Sequence, residues 1–126
     1  MGKTVRVVTM LFVVACGDAS TGNNAALDAG GMEVCPRPLP STCPAAPSFG
    51  EVIEPLIERR CLVCHGPGGQ AYPARDLTSY DRVYRQRTEI ISQVYNCRMP
   101  PQDGVPLTAD ELDTLLLWLT CGAPDN

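Results

Sequence analysis

Apolar positions along this chain fall into helical stripes rather than into alternation. From Ser48 onward Phe49, Val52, Ile53, Leu56 and Ile57 recur at i, i+3, i+4, i+7 and i+8, one face of a helix. Ser48 followed three residues later by Glu51 reads as a capping box at its start. Pro55 lies inside the stripe and removes a hydrogen bond, so the pattern predicts a helix over 49–60 bent near Pro55 and running into Cys61. Gly66-Pro67-Gly68-Gly69 then stops any regular element. A second stretch, 79–95, carries Val83, Ile90, Ile91, Val94 and Tyr95; its first half is polar and Arg-rich, which suggests two short helices. The last stripe, Leu112, Leu115, Leu116 and Leu119, follows a second capping box, Thr108 with Glu111, and ends at Gly122 and Pro124. No stretch alternates like a strand, so the expected class is all-α, with three to four short helices.

Ahead of these stripes the pattern changes twice. Lys3 and Arg6 precede an apolar run, Val7 to Ala15, interrupted by Thr9 and followed by Cys16. That is a positive n-region and a short h-region, too short for a membrane span of roughly 20 apolar residues. Val13-Val14-Ala15-Cys16 resembles the bacterial lipobox, so residues 1–15 are read as a lipoprotein signal peptide and Cys16 as the lipidated residue. Gly17 rather than Asp follows the cysteine, which leaves delivery to the outer or the inner membrane open. Arg6 occupies the position where N-myristoylation needs Ser or Thr. From 16 to 47 there is almost no apolar periodicity; glycines give way to Pro36, Pro38, Pro40, Pro44 and Pro47. Such a stretch buries too little to offset chain entropy and reads as a flexible, lipid-anchored tether. Residues 48–126 form the expected domain, small enough to need a staple or a cofactor.

Composition sharpens this picture at two points. Seven cysteines in 126 residues point to an oxidising compartment, here the periplasmic side of a cell envelope. Removal of residues 1–15 takes Lys3 and Arg6 with it, leaving eight arginines, no lysine and 14 acidic residues, a net charge of −6. That balance argues against a nucleic-acid face and favours partners with basic docking faces.

The single histidine belongs to Cys61-Leu62-Val63-Cys64-His65. C-x-x-C-H is the c-type haem attachment pattern: two thiols add to the two vinyl groups on one edge of the haem, and the next residue becomes an axial ligand. Three other readings use the same residues. A thioredoxin-like pair starts a helix after a strand, whereas this pair ends a helix. A zinc site would combine Cys61, Cys64, Cys97 and Cys121. A plain disulfide could join Cys61 to Cys64. A low-spin haem wants a second axial ligand, and with no second histidine the choice falls on methionine. Met32 lies in the tether; Met99-Pro100-Pro101 lies between the second and last helices, where the prolines are expected to hold the loop extended and stiff. Met99 is therefore the expected distal ligand. A backbone carbonyl in the 66–73 loop is the expected acceptor for the other nitrogen of His65. Arg75, Arg98 and Tyr72 are candidates to meet the haem propionates, and Trp118 is read as core.

These segments together, Cys61-Leu-Val-Cys-His-Gly, Asp76-Leu-Thr-Ser-Tyr80, Arg98-Met-Pro-Pro101 and Leu107 to Pro124, make residues 48–124 similar to small monohaem class I cytochrome c-like lipoproteins of bacteria. The resemblance implies an all-α fold wrapped around one haem c, with Cys61 and Cys64 as thioether anchors and His65 and Met99 as ligands of the iron. It also implies a crossing of first and last helices, Phe49, Val52 and Ile53 against Leu112, Leu115 and Leu116. The lysine ring of mitochondrial carriers is missing, so the resemblance does not carry over a docking mode. With one cysteine for lipid and two for haem, four remain, for which Cys97–Cys121 and Cys35–Cys43 are the expected disulfides. The function expected is electron transfer between redox donor and acceptor proteins by a membrane-tethered carrier, itself not an enzyme. Two alternatives stay open: a haem-based sensor or weak peroxidase with an open distal site, and a haem-free, disulfide-stabilised envelope interaction protein.

Overall fold

A computed structural model describes residues 36–126; residues 1–15, read as a signal peptide, and Cys16, Met32 and Cys35 lie outside the described residues. Among the described residues there are helices and no strands, so the all-α class holds. The chain makes a π-helical turn (Phe49–Ile53), α1 (Glu54–Arg60), α2 (Leu62–His65), α3 (Tyr80–Tyr95) and α4 (Ala109–Thr120). No helix among the described residues is long and apolar enough to cross a membrane.

Pro55 explains how the first stripe is built. It has no N–H to give, and it sits in the first turn of α1, where none is needed. The turn before it is widened: the Ile53 N–H reaches Ser48 O at 3.2 Å, and the Glu54 N–H reaches Phe49 O. The predicted bend is therefore a π-to-α junction. The wider turn rotates Val52 off the apolar face, leaving it 41 % exposed, while Phe49, Ile53, Leu56 and Ile57 are buried. Val52 thus drops out of the expected crossing with the last helix. Ser48 Oγ accepts from the Glu51 N–H at 3.3 Å, one half of the predicted capping box.

The arginine-rich stretch is one continuous helix, α3, of 16 residues, not two short ones. Val83 and Val94 are buried on its inner face, Ile90 and Ile91 pack at the edge of the core, and Tyr95 is exposed. At the start of α4 the predicted capping box is complete, the Thr108 hydroxyl accepting from the Glu111 N–H and the Glu111 carboxylate accepting from the Thr108 N–H. Beyond its end Gly122 takes φ 94° and the Ala123 N–H closes back on Trp118 O at 2.9 Å.

The core lies between the π-turn, α1, α3 and α4. Trp118, Ile53, Leu115, Leu116 and Val83 are its largest fully buried side chains. Phe49 meets the edge of Tyr80 at 5.1 Å and the Trp118 ring at 5.6 Å. The Trp118 indole N–H donates to Pro124 O, and the Tyr80 hydroxyl to Ala123 O, both at 3.0 Å, so the aromatic cluster satisfies its polar atoms on the chain beyond α4.

Cys43 and Cys121 form a disulfide. This overturns both expected pairings: Cys121 is not joined to Cys97, and Cys43 is not joined to Cys35. The physical reason is the path of the chain before the helices. Arg37 makes a two-pronged ion pair with Asp113 in α4, and Ala46 packs against the core. The segment between them therefore runs beside α4, with Cys43 against the end of that helix. The last dozen residues assigned to the tether are accordingly fastened to the domain.

Candidate functional site

α1 and α2 meet at Cys61, the last cap of one and the first of the other. The Cys61 N–H bonds to Ile57 O at 2.8 Å, and the His65 N–H returns to Cys61 O at 2.9 Å. This single short turn carries Cys61, Cys64 and His65 as one rigid unit. The loop that follows folds straight back on it. The Ala71 N–H bonds to Cys64 O at 3.0 Å. Gly69 lies so close that an added Cβ would fall 2.3 Å from Cys64 O, a contact only glycine avoids.

An open cavity of about 340 Å³ lies beside this turn. That size is within the roughly 300–1,000 Å³ of ordinary ligand and cofactor pockets. Cys61, Cys64 and His65 form one side, and Met99, Pro100 and Pro101 contribute from the α3–α4 loop. Val83, Ile90 and Val94 of α3, Leu115 of α4, and Leu77 and Leu107 supply apolar wall. The four residues singled out from motif and loop thus border one space, although Met99 comes from a different element than the other three.

His65 is oriented within it. Its Nδ1 lies 2.7 Å from Arg75 O. As donor to that carbonyl, Nδ1 carries the proton, and Nε2 has no hydrogen-bond partner among the described residues. The carbonyl comes from Arg75, two residues past the loop expected to supply it. The Leu77 N–H returns to His65 O at 3.2 Å, closing a second link to the same segment.

Cys61 and Cys64 are not joined to each other, and Cys97 is exposed, without a disulfide among the described residues. The zinc set is dispersed, because Cys121 is consumed by Cys43. Burial first, then the neighbouring Cys64 and Glu111, push the Cys61 thiol up to about 11.

Met99 is 38 % exposed at the cavity, in a loop held at its root by the Arg98 and Met99 N–H groups, both bonded to Gln93 O. The loop is not extended: the Gly104 N–H closes a turn on Pro101 O at 2.8 Å. Among the candidate hydrogen-bond donors, Arg75 lines the cavity and has no ion pair among the described residues; Arg98 and Tyr72 do not line it. Arg60 also lines it but is held by Glu111 at 2.9 Å. The sequence expectations passed over Arg60 and, on α3, Gln86, Glu89 and Gln93; the i, i+3, i+7 spacing of the last three on one helix face was the available signal.

The chain matches no family model, no curated protein and no solved structure.

Proposed function

We propose that this protein is an electron carrier, a c-type cytochrome resembling the small class I lipoproteins. In it an all-α domain wraps one haem c. Cys61 and Cys64 would hold it through thioethers, and His65 and Met99 would supply the ligands to its iron. The observation that carries the reading is the gathering of all four residues around one largely apolar cavity, with His65 anchored through Nδ1 and its Nε2 unpartnered. When bound, the haem supplies a reversible one-electron couple.

The remaining roles belong to the chain. The Arg75 carbonyl fixes the tautomer and direction of the imidazole. The apolar wall from α3 and α4 keeps water off the site, and the soft Met99 sulfur favours the reduced state. Arg75 is placed to pair with a propionate. Cys16, as lipid anchor, would keep the carrier on the periplasmic side of a membrane, with donor and acceptor proteins approaching from the aqueous side.

The test is expression in a host with a c-type maturation system, followed by intact mass and a reduced-minus-oxidised visible spectrum. The expected mass includes one haem, and Cys61→Ser with Cys64→Ser removes the covalent link. A mass without haem from a competent host sinks the proposal and leaves the haem-free envelope protein. A second reading, a haem-based sensor or weak peroxidase, is favoured by the exposure of Met99. Rapid carbon monoxide binding to the ferrous protein, with no far-red sulfur–iron band in the ferric state, would select it. Met99→Ala should lower the reduction potential; an unchanged potential removes Met99 as ligand.

A further inference from the structure

Asp76 is buried, an unusual place for a carboxylate in so small a core. It is fully engaged. Its Oδ1 accepts from the Thr78 N–H at 2.8 Å and from the Thr78 hydroxyl at 2.7 Å. Its Oδ2 is paired with Arg82, in the first turns of α3. Its own carbonyl accepts from the Gln86 side-chain amide at 2.8 Å, one helical turn further along. Backbone and side chain of one residue are thus both clamped to α3.

The residue before Asp76 is Arg75, whose carbonyl holds His65 Nδ1; the residue after it is Leu77, whose N–H bonds to His65 O. The short segment 75–77 is therefore the only link between the α3 clamp and both hydrogen bonds to His65 among the described residues. Among the described residues no hydrogen bond or ion pair joins Asp76 to the imidazole itself.

We infer that Asp76 is a positioning residue: the Asp76–Arg82–Gln86 clamp fixes the Arg75 carbonyl against His65 Nδ1 and so sets the orientation and basicity of the ligand histidine. This rests on the proposed role of His65. A carbonyl held rigidly in line keeps the Nδ1–H bond short and strengthens the imidazole as a donor to iron. A loosened carbonyl weakens that bond without altering any residue in contact with the cofactor.

The experiment compares the haem-loaded native protein with Asp76→Ala, Asp76→Asn, Gln86→Ala and a core control, Leu116→Ala. The readouts are solvent exchange of the His65 Nδ1–H by NMR and the reduction potential, with thermal stability measured alongside. Asp76→Ala is expected to speed Nδ1–H exchange at least tenfold and to raise the potential. Asp76→Asn retains an oxygen for Thr78 but loses the charge pair, and Gln86→Ala releases only the Asp76 carbonyl; both are expected to fall between. Leu116→Ala should lower stability and leave both readouts near native. Native exchange and potential in Asp76→Ala, or changes no larger than those of the core control at equal loss of stability, overturn the inference. Where Asp76→Ala fails to fold, Asp76→Asn and Gln86→Ala decide it on the same criteria. If haem does not attach, the electron-carrier reading fails separately. The clamp is then read in the haem-free full chain from the imidazole nitrogen shifts, expected to report an Nδ1–H tautomer in the native protein and a mixed one in Asp76→Ala. No tautomer difference there also overturns it.

Discussion

At φ 94° Gly122 occupies backbone space that an L side chain enters only at a cost, yet a Cβ there would touch nothing within 4 Å. Gly122→Ala therefore isolates the backbone term: the expected loss is about 1–2 kcal/mol, read from denaturant unfolding, with haem loading unaffected. Glu111 carries a different kind of weight. Burial alone would raise its carboxyl, but the Thr108 N–H, then Arg60 and Arg59, outweigh that and hold it below the usual carboxylate range. One side chain thus completes the α4 cap and ties α4 to α1. A lowered carboxyl contributes stability that is whole above its unfolded value, about pH 4.3, and is lost as pH falls through the lower folded value. Glu111→Gln is expected to cost roughly 1–2 kcal/mol at pH 7, in the range of a lost cap, and to flatten the acid limb of the stability curve. Parallel acid limbs for the two proteins would show that the destabilisation comes from elsewhere.

Helices were legible at the level of the element wherever the apolar stripe was unbroken: α4, with its capping box and Gly122, follows directly from residues 108–122. Pro55 was legible as a disturbance but not in its form, because a proline can be absorbed by a kink or by a widened turn, and the choice depends on which face must be buried. The π-turn chosen here keeps Phe49 and Ile53 inside and gives up Val52. The motif and the Met-Pro loop marked four side chains that line one cavity. The Arg75 carbonyl carried no signal, since any backbone carbonyl looks alike in sequence. Cysteine number likewise cannot fix partners; Cys43 meets Cys121 because Arg37 and Ala46 lay their segment along α4. That arrangement has a measurable consequence. The bond closes a span of 78 residues, and removing a disulfide of this kind typically costs about 2–4 kcal/mol. For a domain of this size the melting temperature should fall on the order of 10 °C in Cys43→Ser/Cys121→Ser. Peptide mapping of the unreduced protein should yield the 43–121 link, and a 97–121 link would contradict the fold.

For the molecule as a whole, charge is the property most open to test without knowing its natural partners. The chain after residue 15 carries eight arginines against 14 acidic residues. Four of those arginines, Arg37, Arg59, Arg60 and Arg82, are already spent on internal ion pairs. At the cavity Arg60 is neutralised by Glu111, whereas Glu89 and Asp103 border the opening with no ion pair among the described residues. Arg75 offsets only one of these two carboxylates, so on the proposed function a donor or acceptor approaching this face would meet net negative charge, and opposite charges accelerate encounter until salt screens them over about 10 Å at 0.1 M. Small inorganic redox reagents test this directly on the haem-loaded protein. Electron exchange with a cationic reagent is expected to slow as ionic strength rises, and exchange with an anionic reagent to quicken. Glu89→Gln combined with Asp103→Asn should shrink both slopes while leaving the fold intact, because each side chain is exposed. The opposite pair of slopes would mean that electrons leave through a basic face, and Arg75 and Arg98 would then define the docking surface.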